Sequence, residues 1–222
     1  MAAQRYRGVA ELPALLPIFP LDGALLLPGG ALPLQIFEPR YLNMVDDAMS
    51  GERLIGMIQT SAGGDRSRPR LARVGCAGRV TSYAETGDGK YLITLTGLCR
   101  FDVGEEVSTL TPYRQVRPHW GPYARDLEGE EVALEFDRAP FLLVLRRFLD
   151  LHGLGLEWEA VNIAPAAPLI NSLSMALPFD RAEKQALLEA ADVDERRVAL
   201  TALLEMGLAA PIDDDDEPPA IQ

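Results

Sequence analysis

LPIFPLDGALLLPGGALPLQIFEPRY, residues Leu16 to Tyr41, decides the fold. Its apolar content could pass for a membrane-spanning helix over Ala14–Phe37, yet Pro17, Pro20, Pro28 and Pro33 stand in that window with Gly23, Gly29, Gly30 and Asp22. Proline removes a helical N–H and clashes with the preceding turn, so this density of breakers excludes a spanning helix. The same residues are coherent as short strands joined by tight turns, with Leu25–Leu27 and Ala31–Gln35 flanking a Pro28-Gly29-Gly30 corner. Beyond them Tyr41, Leu42, Val45 and Met49 recur at helical spacing. This predicts a helix over Glu38–Met49, with Pro39 early enough for its missing N–H to be harmless and a stop near Gly51.

Working outward, β-rich runs return at Leu54–Gln59, Val74–Tyr83, Tyr91–Leu98, Phe101–Val107 and Tyr113–Pro118. Gly87-Asp88-Gly89 reads as a hairpin turn, since glycine supplies the positive φ such turns need. Ser61–Arg70, polar and rich in glycine and arginine, reads as an exposed loop. Five further strands in so short a span predict a barrel or rolled sheet. Past Leu127 the period becomes helical: Phe141, Leu142, Leu145, Phe148, Leu149 and His152, then Leu169, Leu173 and Leu177. Asp180 with Glu183 predicts a capping box opening a helix over Arg181–Ala190. Asp194 is the expected cap of a last helix carrying Val198, Thr201, Leu204 and Leu208 on one face.

The organisation expected is therefore α+β: an N-terminal arm over 1–11, a β-barrel over 12–125, a helical bundle over 126–208 and an acidic, disordered tail over 209–222. The chain has 222 residues, 48% of them apolar, with 21 Lys+Arg against 33 Asp+Glu and a net charge of −12. Residues 1–125 carry 14 cations against 12 acids, and residues 126–222 carry 7 against 21. An acidic total argues against a general nucleic-acid binder, which needs clustered cations to neutralise phosphates. Two cysteines, Cys76 and Cys99, make neither a disulfide framework nor a zinc site and fit a reducing compartment. MAAQRYRGVA lacks the apolar run of a secretory signal, so a cytoplasmic location is expected.

The Leu16–Tyr41 stretch resembles the opening of the Lon protease N-terminal domain family, with its LP-x-FPL strand, proline-glycine corner, LPL strand and IFEPRY junction in that order. The resemblance continues through RVGCAGRV (Arg73–Val80), the strand near Tyr91–Thr96, GLCRF (Gly97–Phe101), NSLSMALPF (Asn171–Phe179) and EKQALLEA (Glu183–Ala190). Gln35 departs from the His found there in many members. The resemblance implies a PUA-like β-barrel followed by a C-terminal helical bundle, in a stand-alone bacterial member without ATPase or peptidase modules. It implies client or unfolded polypeptides as partners, with a separate protease as a further one. No cofactor and no metal are expected, because the residues offer neither a phosphate-cradling loop nor a ligand cluster.

The residues agree with a chain that is not an enzyme. A Lon-type peptidase needs a serine activated by a lysine, and Lys90, after a turn, and Lys184, beside Glu183, have no such context near Ser172 or Ser174. A phosphate-cradling loop fails at Gly89-Lys90, where position 84 is alanine and Tyr91 follows the lysine. His119 and His152 have no ligand-spaced companions, and both cysteines alternate with apolar strand residues as buried hydrophobes do.

Two candidate surfaces remain. For polypeptide contact they are Leu25, Leu26, Pro28, Phe37, Tyr41 and Met44, each of which can equally be core, with the polar pair Glu38 and Arg40. Glu38 and Arg40 can instead serve the helix start, the acid at its positive end and the arginine bracing carbonyls. For RNA contact, the alternative, they are Arg66, Arg68, Arg70 and Arg73, which lack the interleaved aromatics that stack bases. A third reading is an adaptor that docks a protease through the acidic bundle.

Overall fold

In the computed structural model, which describes residues 6–65, 68–128 and 136–209, the strands come first with one α-helix among them and the other five α-helices follow, an α+β arrangement. The strands are β1 (Leu16–Pro20), β2 (Ala31–Ile36), β3 (Leu54–Asp65), β4 (Arg68–Glu85), β5 (Tyr91–Val107) and β6 (Gln115–His119). The helices are α1 (Pro39–Ser50), α2 (Arg138–Leu151), α3 (Trp158–Ile163), α4 (Ala166–Ala176), α5 (Arg181–Glu189) and α6 (Val193–Ala209), with short 3₁₀ turns at Val9–Glu11 and Gly121–Leu127. The sheet order is β2-β5-β4-β3-β1-β6, and a second pairing of β5 with β6 closes it into a barrel. Closure works because β5 is long: Tyr91–Thr96 pairs with β2, while Asp102–Val107 pairs with β6. β1 runs parallel to β3, so the chain crosses over between them through β2 and α1.

The barrel interior is apolar, with Leu16, Ile18, Ile55, Leu95 and Phe101 fully buried. Leu25–Leu27 is not a strand. It is a buried loop that fills the base of the proline-glycine corner, closed by a Gly30 N–H bond to the Leu27 carbonyl at 2.9 Å. The corner itself is docked on β5, where Gly29 N donates to Gly97 O (2.9 Å) and Gly97 N to Gly30 O (2.8 Å). A Cβ at Gly97 would stand 2.0 Å from the Leu27 carbonyl oxygen, so only glycine permits this approach.

Other expectations shift for similar reasons. Ser61–Arg70 is no loop among its described residues: Thr60 pairs with Leu71, Gly64 with Pro69 and Asp65 with Arg68, so β3 and β4 project as a hairpin whose backbone pairing overrides its composition. Tyr91–Leu98 and Phe101–Val107 are one continuous strand. Asp180 and Glu183 form the capping box. On α6 the capping carboxylate is Asp192, which accepts from Glu195 N at 2.9 Å, while Asp194 pairs with Arg197. The buried face of α6 is Arg196, Leu200 and Leu204, and Val198 points to solvent. The acidic tail lies outside the described residues.

Polar side chains hold the helices to the barrel. Arg100 on β5, 4% exposed, grips Asp126 through Nε and Nη2 at 2.9 Å and reaches three carbonyls at the end of α5, those of Leu188, Ala190 and Ala191. Buried Gln59 on β3 donates to Arg181 O at 3.1 Å. Arg196 on α6 donates to Asn171 Oδ1 on α4 (2.8 Å), and Asn171 in turn to Pro28 O in the corner (3.3 Å). Burial among apolar groups lowers the Arg196 pKa to about 10.

Candidate functional site

At the end of β2 the backbone leaves the sheet at Phe37 and enters α1 at Pro39, whose fixed φ suits a first helical position. Phe37 is 63% exposed. Glu38 and Arg40 form an exposed ion pair, Arg40 Nη2 lying 2.8 Å from Glu38 Oε2, and the guanidinium lies over the Tyr41 ring at 4.5 Å. Arg40 therefore engages its neighbour's carboxylate rather than bracing carbonyls, and Glu38 makes no side-chain cap. Tyr41 is buried against Phe19, ring centroids 4.3 Å apart, and burial raises its phenol pKa.

The other apolar candidates divide by burial. Leu25, Leu26 and Met44 belong to the core and offer no surface to a partner in this conformation, and Tyr41 presents little more. The apolar run Ala24–Leu27 and the inward face of α1 supply core rather than contacts because the barrel needs both to close. Pro28 is half-buried at the corner. Leu92, which the sequence did not single out, is 46% exposed on β5 opposite Gln35, one register step from the Ile36–Tyr91 pair that precedes Phe37.

Two depressions take in some of the candidates, Arg40 and Tyr41 in one and Arg68 and Arg70 in the other. One, of about 210 Å³, is lined by Pro20, Arg40, Tyr41, Pro69, Tyr113 and Arg114 among others. The second, a shallow cleft of about 590 Å³, shares Pro69 and Arg114 and runs past Arg68, Arg70 and Leu71 to Val103 and Glu106. Arg40 and Tyr41 of the FEPRY junction and Arg68 and Arg70 of the arginine cluster, far apart in sequence, thus line two neighbouring depressions with Pro69 and Arg114 common to both. Arg114 links them. No local signal marked it, because it is topology that carries the loop before β6 between the two segments.

The described arginines of the cluster are mostly engaged. Arg68 Nη2 lies 2.6 Å from Glu106 Oε1, Arg114 grips the same carboxylate with two bonds of 2.8 Å, and Arg73 Nε stands 3.7 Å from Asp102. Hydrogen bonds from Arg114 foremost hold the Glu106 pKa below its ordinary value. Arg70 is exposed and makes no hydrogen bond or ion pair among the described residues. Arg66 lies outside them.

Groups capable of chemistry elsewhere are tied into structure. Lys184 Nζ donates to Gly23 O at 2.8 Å, Lys90 pairs with Asp88, and the Ser174 hydroxyl donates to Ile170 O at 2.8 Å. Burial pushes the Cys76 thiol well up and the Cys99 thiol to about 12. His119 ends β6, and His152, at the C-terminus of α2, packs on Phe148. Among the described residues no group of three or more His, Cys, Asp or Glu converges as a metal needs, and no helix is long and apolar enough to cross a membrane.

Comparison with known proteins gives the same picture. Residues 15–206 match the family described as ATP-dependent protease La (LON) substrate-binding domain. Lon protease from Anaeromyxobacter dehalogenans is 33% identical over 200 residues, which cover 87% of this chain and 23% of the relative. Lon protease 2 from Sorangium cellulosum is 30% identical over 186 residues, 81% of this chain and 23% of the relative. The chain thus spans about a quarter of the length of such relatives. Among solved structures, a Lon N-terminal domain protein from Xanthomonas campestris superposes with a TM-score of 0.61 at 23% identity, covering 85% of this chain and 97% of that one. The N-terminal domain of a Mycobacterium avium complex Lon protease gives 0.56 at 17% identity, over 89% and 100% of the two chains.

Proposed function

The chain belongs to the Lon substrate-binding domain family, and on that premise we propose that it holds unfolded or client polypeptides at the exposed strand-to-helix junction of Phe37 without cutting them, as a component of protein quality control. The observation that supports this most is Phe37. A phenylalanine 63% exposed at the strand-to-helix junction offers a large apolar surface to a partner, and Arg40 and Tyr41, three and four residues further along the chain, line the smaller depression. An apolar anchor with an adaptable cationic rim suits extended segments of varied sequence, since aromatic anchors dominate contact energy while rim charges set orientation. Nucleic acid is the less favoured ligand, because Arg68 and Arg73 already meet carboxylates.

The test is retention of reduced, carboxymethylated α-lactalbumin on the immobilised chain. The expected result is retention by the wild type, loss of most of it in Phe37→Ser at unchanged melting temperature, and a client recovered at full length. No retention across salt and temperature, or equal retention by Phe37→Ser, counts against the reading.

A further inference from the structure

The larger cleft has a backbone origin. β4 pairs with β5 from Glu85 down to Val74, which lies opposite Asp102. Beyond that pair the two strands part: Arg68–Leu71 of β4 follows β3, and Val103–Val107 of β5 follows β6. The parting coincides with irregularities on both strands: between Gly75 and Leu71 β4 advances four residues while β3 advances two, from Ile58 to Thr60, and β5 carries a bulge. Between Val103 and Glu106 β5 advances three residues while β6 advances two, from Pro118 to Val116. Extra residues bend a strand and sharpen its twist, which suits the end of pairing between β4 and β5 here. Gly104 permits this, because a Cβ there would stand 2.2 Å from Arg117 O.

The result is a fork whose two prongs each present an inner edge that pairs with no strand among the described residues. Unpaired edges are templates for a further strand. Leu71 and Val103 line the fork as apolar residues, and its charged lining is three arginines, Arg68, Arg70 and Arg114, against Glu106 alone. Arg114 Nη1 also donates to Pro69 O at 2.8 Å, so a side chain spans the mouth and supplies one edge acceptor with the donor a strand would bring.

We propose that this fork receives an extended, acidic segment of a bound polypeptide by strand addition, a reading that rests on the polypeptide-holding function and specifies where and how the main chain is held. The β5 prong bonds the main chain, which makes recognition tolerant of sequence, while the β4 prong, where Pro69 has no N–H and its carbonyl is taken by Arg114, forms the facing wall. Leu71 and Val103 take alternate apolar side chains. Arg70, exposed and unengaged, takes a carboxylate on the segment, and Glu106 holds Arg68 and Arg114 in place on the rim.

The test uses the full chain and a fluorescein-labelled octapeptide of alternating valine and glutamate. The expected result is saturable anisotropy, at least fivefold weaker binding by Arg70→Glu and by the valine-lysine octapeptide, and loss of binding when alternate peptide amides are N-methylated. Hydrogen exchange of amides within 103–107 should slow when the peptide is present. Undiminished binding of the N-methylated peptide overturns strand addition. Binding with these amides unchanged, while carboxymethylated α-lactalbumin is still retained through Phe37, overturns the fork and leaves the holding function standing. A uridine oligomer that binds more tightly than the peptide and is lost in Arg70→Glu overturns the assignment in favour of RNA.

Discussion

Replacing Arg100 by alanine tests how the helices are held to the barrel. Arg100 brings five side-chain hydrogen bonds into a site where Asp126 is nearly as buried as itself, and the guanidinium also stacks on Tyr123 at 4.7 Å. Its removal leaves the Asp126 carboxylate uncompensated and the Leu188 carbonyl without a donor, whereas water reaches the exposed Ala191. Stripping one partner from a buried pair costs about 3–5 kcal/mol, because the remaining charge keeps its desolvation penalty without its counter-ion. With a urea m-value of about 2 kcal/mol/M, the midpoint should fall by roughly 2 M. The double change Arg100→Met with Asp126→Leu should recover much of the loss, since an apolar pair of similar volume leaves no buried charge. Equilibrium urea unfolding followed by tryptophan fluorescence and far-UV circular dichroism measures both. A loss below about 1 kcal/mol for Arg100→Ala, the range of an exposed pair, would refute the buried-clamp reasoning.

Gly97→Ala should destabilise the chain by about 1–3 kcal/mol, the usual range for a forced steric overlap, because its methyl meets the Leu27 carbonyl and must push the proline-glycine corner off β5; thermal melting reads it. Cys76 and Cys99 should resist iodoacetamide at pH 8 in the folded chain and react in urea, since burial holds both thiols protonated; rapid alkylation of the native chain contradicts this. Glu106 has a folded pKa depressed by Arg114 and Arg68, so its contribution to stability is fully present above the ordinary value of 4.5 and is lost as the pH falls through the lower folded value. Melting temperature should therefore drop across that acid window less steeply in Glu106→Gln than in the wild type.

The broad layout was legible because it rests on local chemistry. Breakers between Leu16 and Tyr41 forced strands, Pro39 marked a helix start, and Asp180 with Glu183 marked another. Where the reading missed, distant partners had overridden composition. Gly63, Gly64 and Arg68 look like a loop until β3 and β4 are laid side by side, and Leu25–Leu27 looks like a strand until the barrel claims it as core. Asp194 looked like the cap of α6 because one residue of slip in a helix start leaves the pattern almost unchanged, and Asp192 takes the role. At the candidate site, Phe37, Glu38 and Arg40 were readable from the junction. The cleft lined by Arg68 and Arg70, and its sharing of Pro69 and Arg114 with the depression beside Arg40, was not, since it depends on the β4 and β5 register shifts that only the paired strands expose.

The most direct measurement places a photoreactive benzophenone side chain at Phe37, and in a second protein at exposed Leu143 on α2, and irradiates each with unfolded α-lactalbumin. The account predicts strong adducts from position 37, weak ones from position 143, and a client of undiminished mass in both. Equal yields from the two positions, or a client shortened by cleavage before capture, would contradict it.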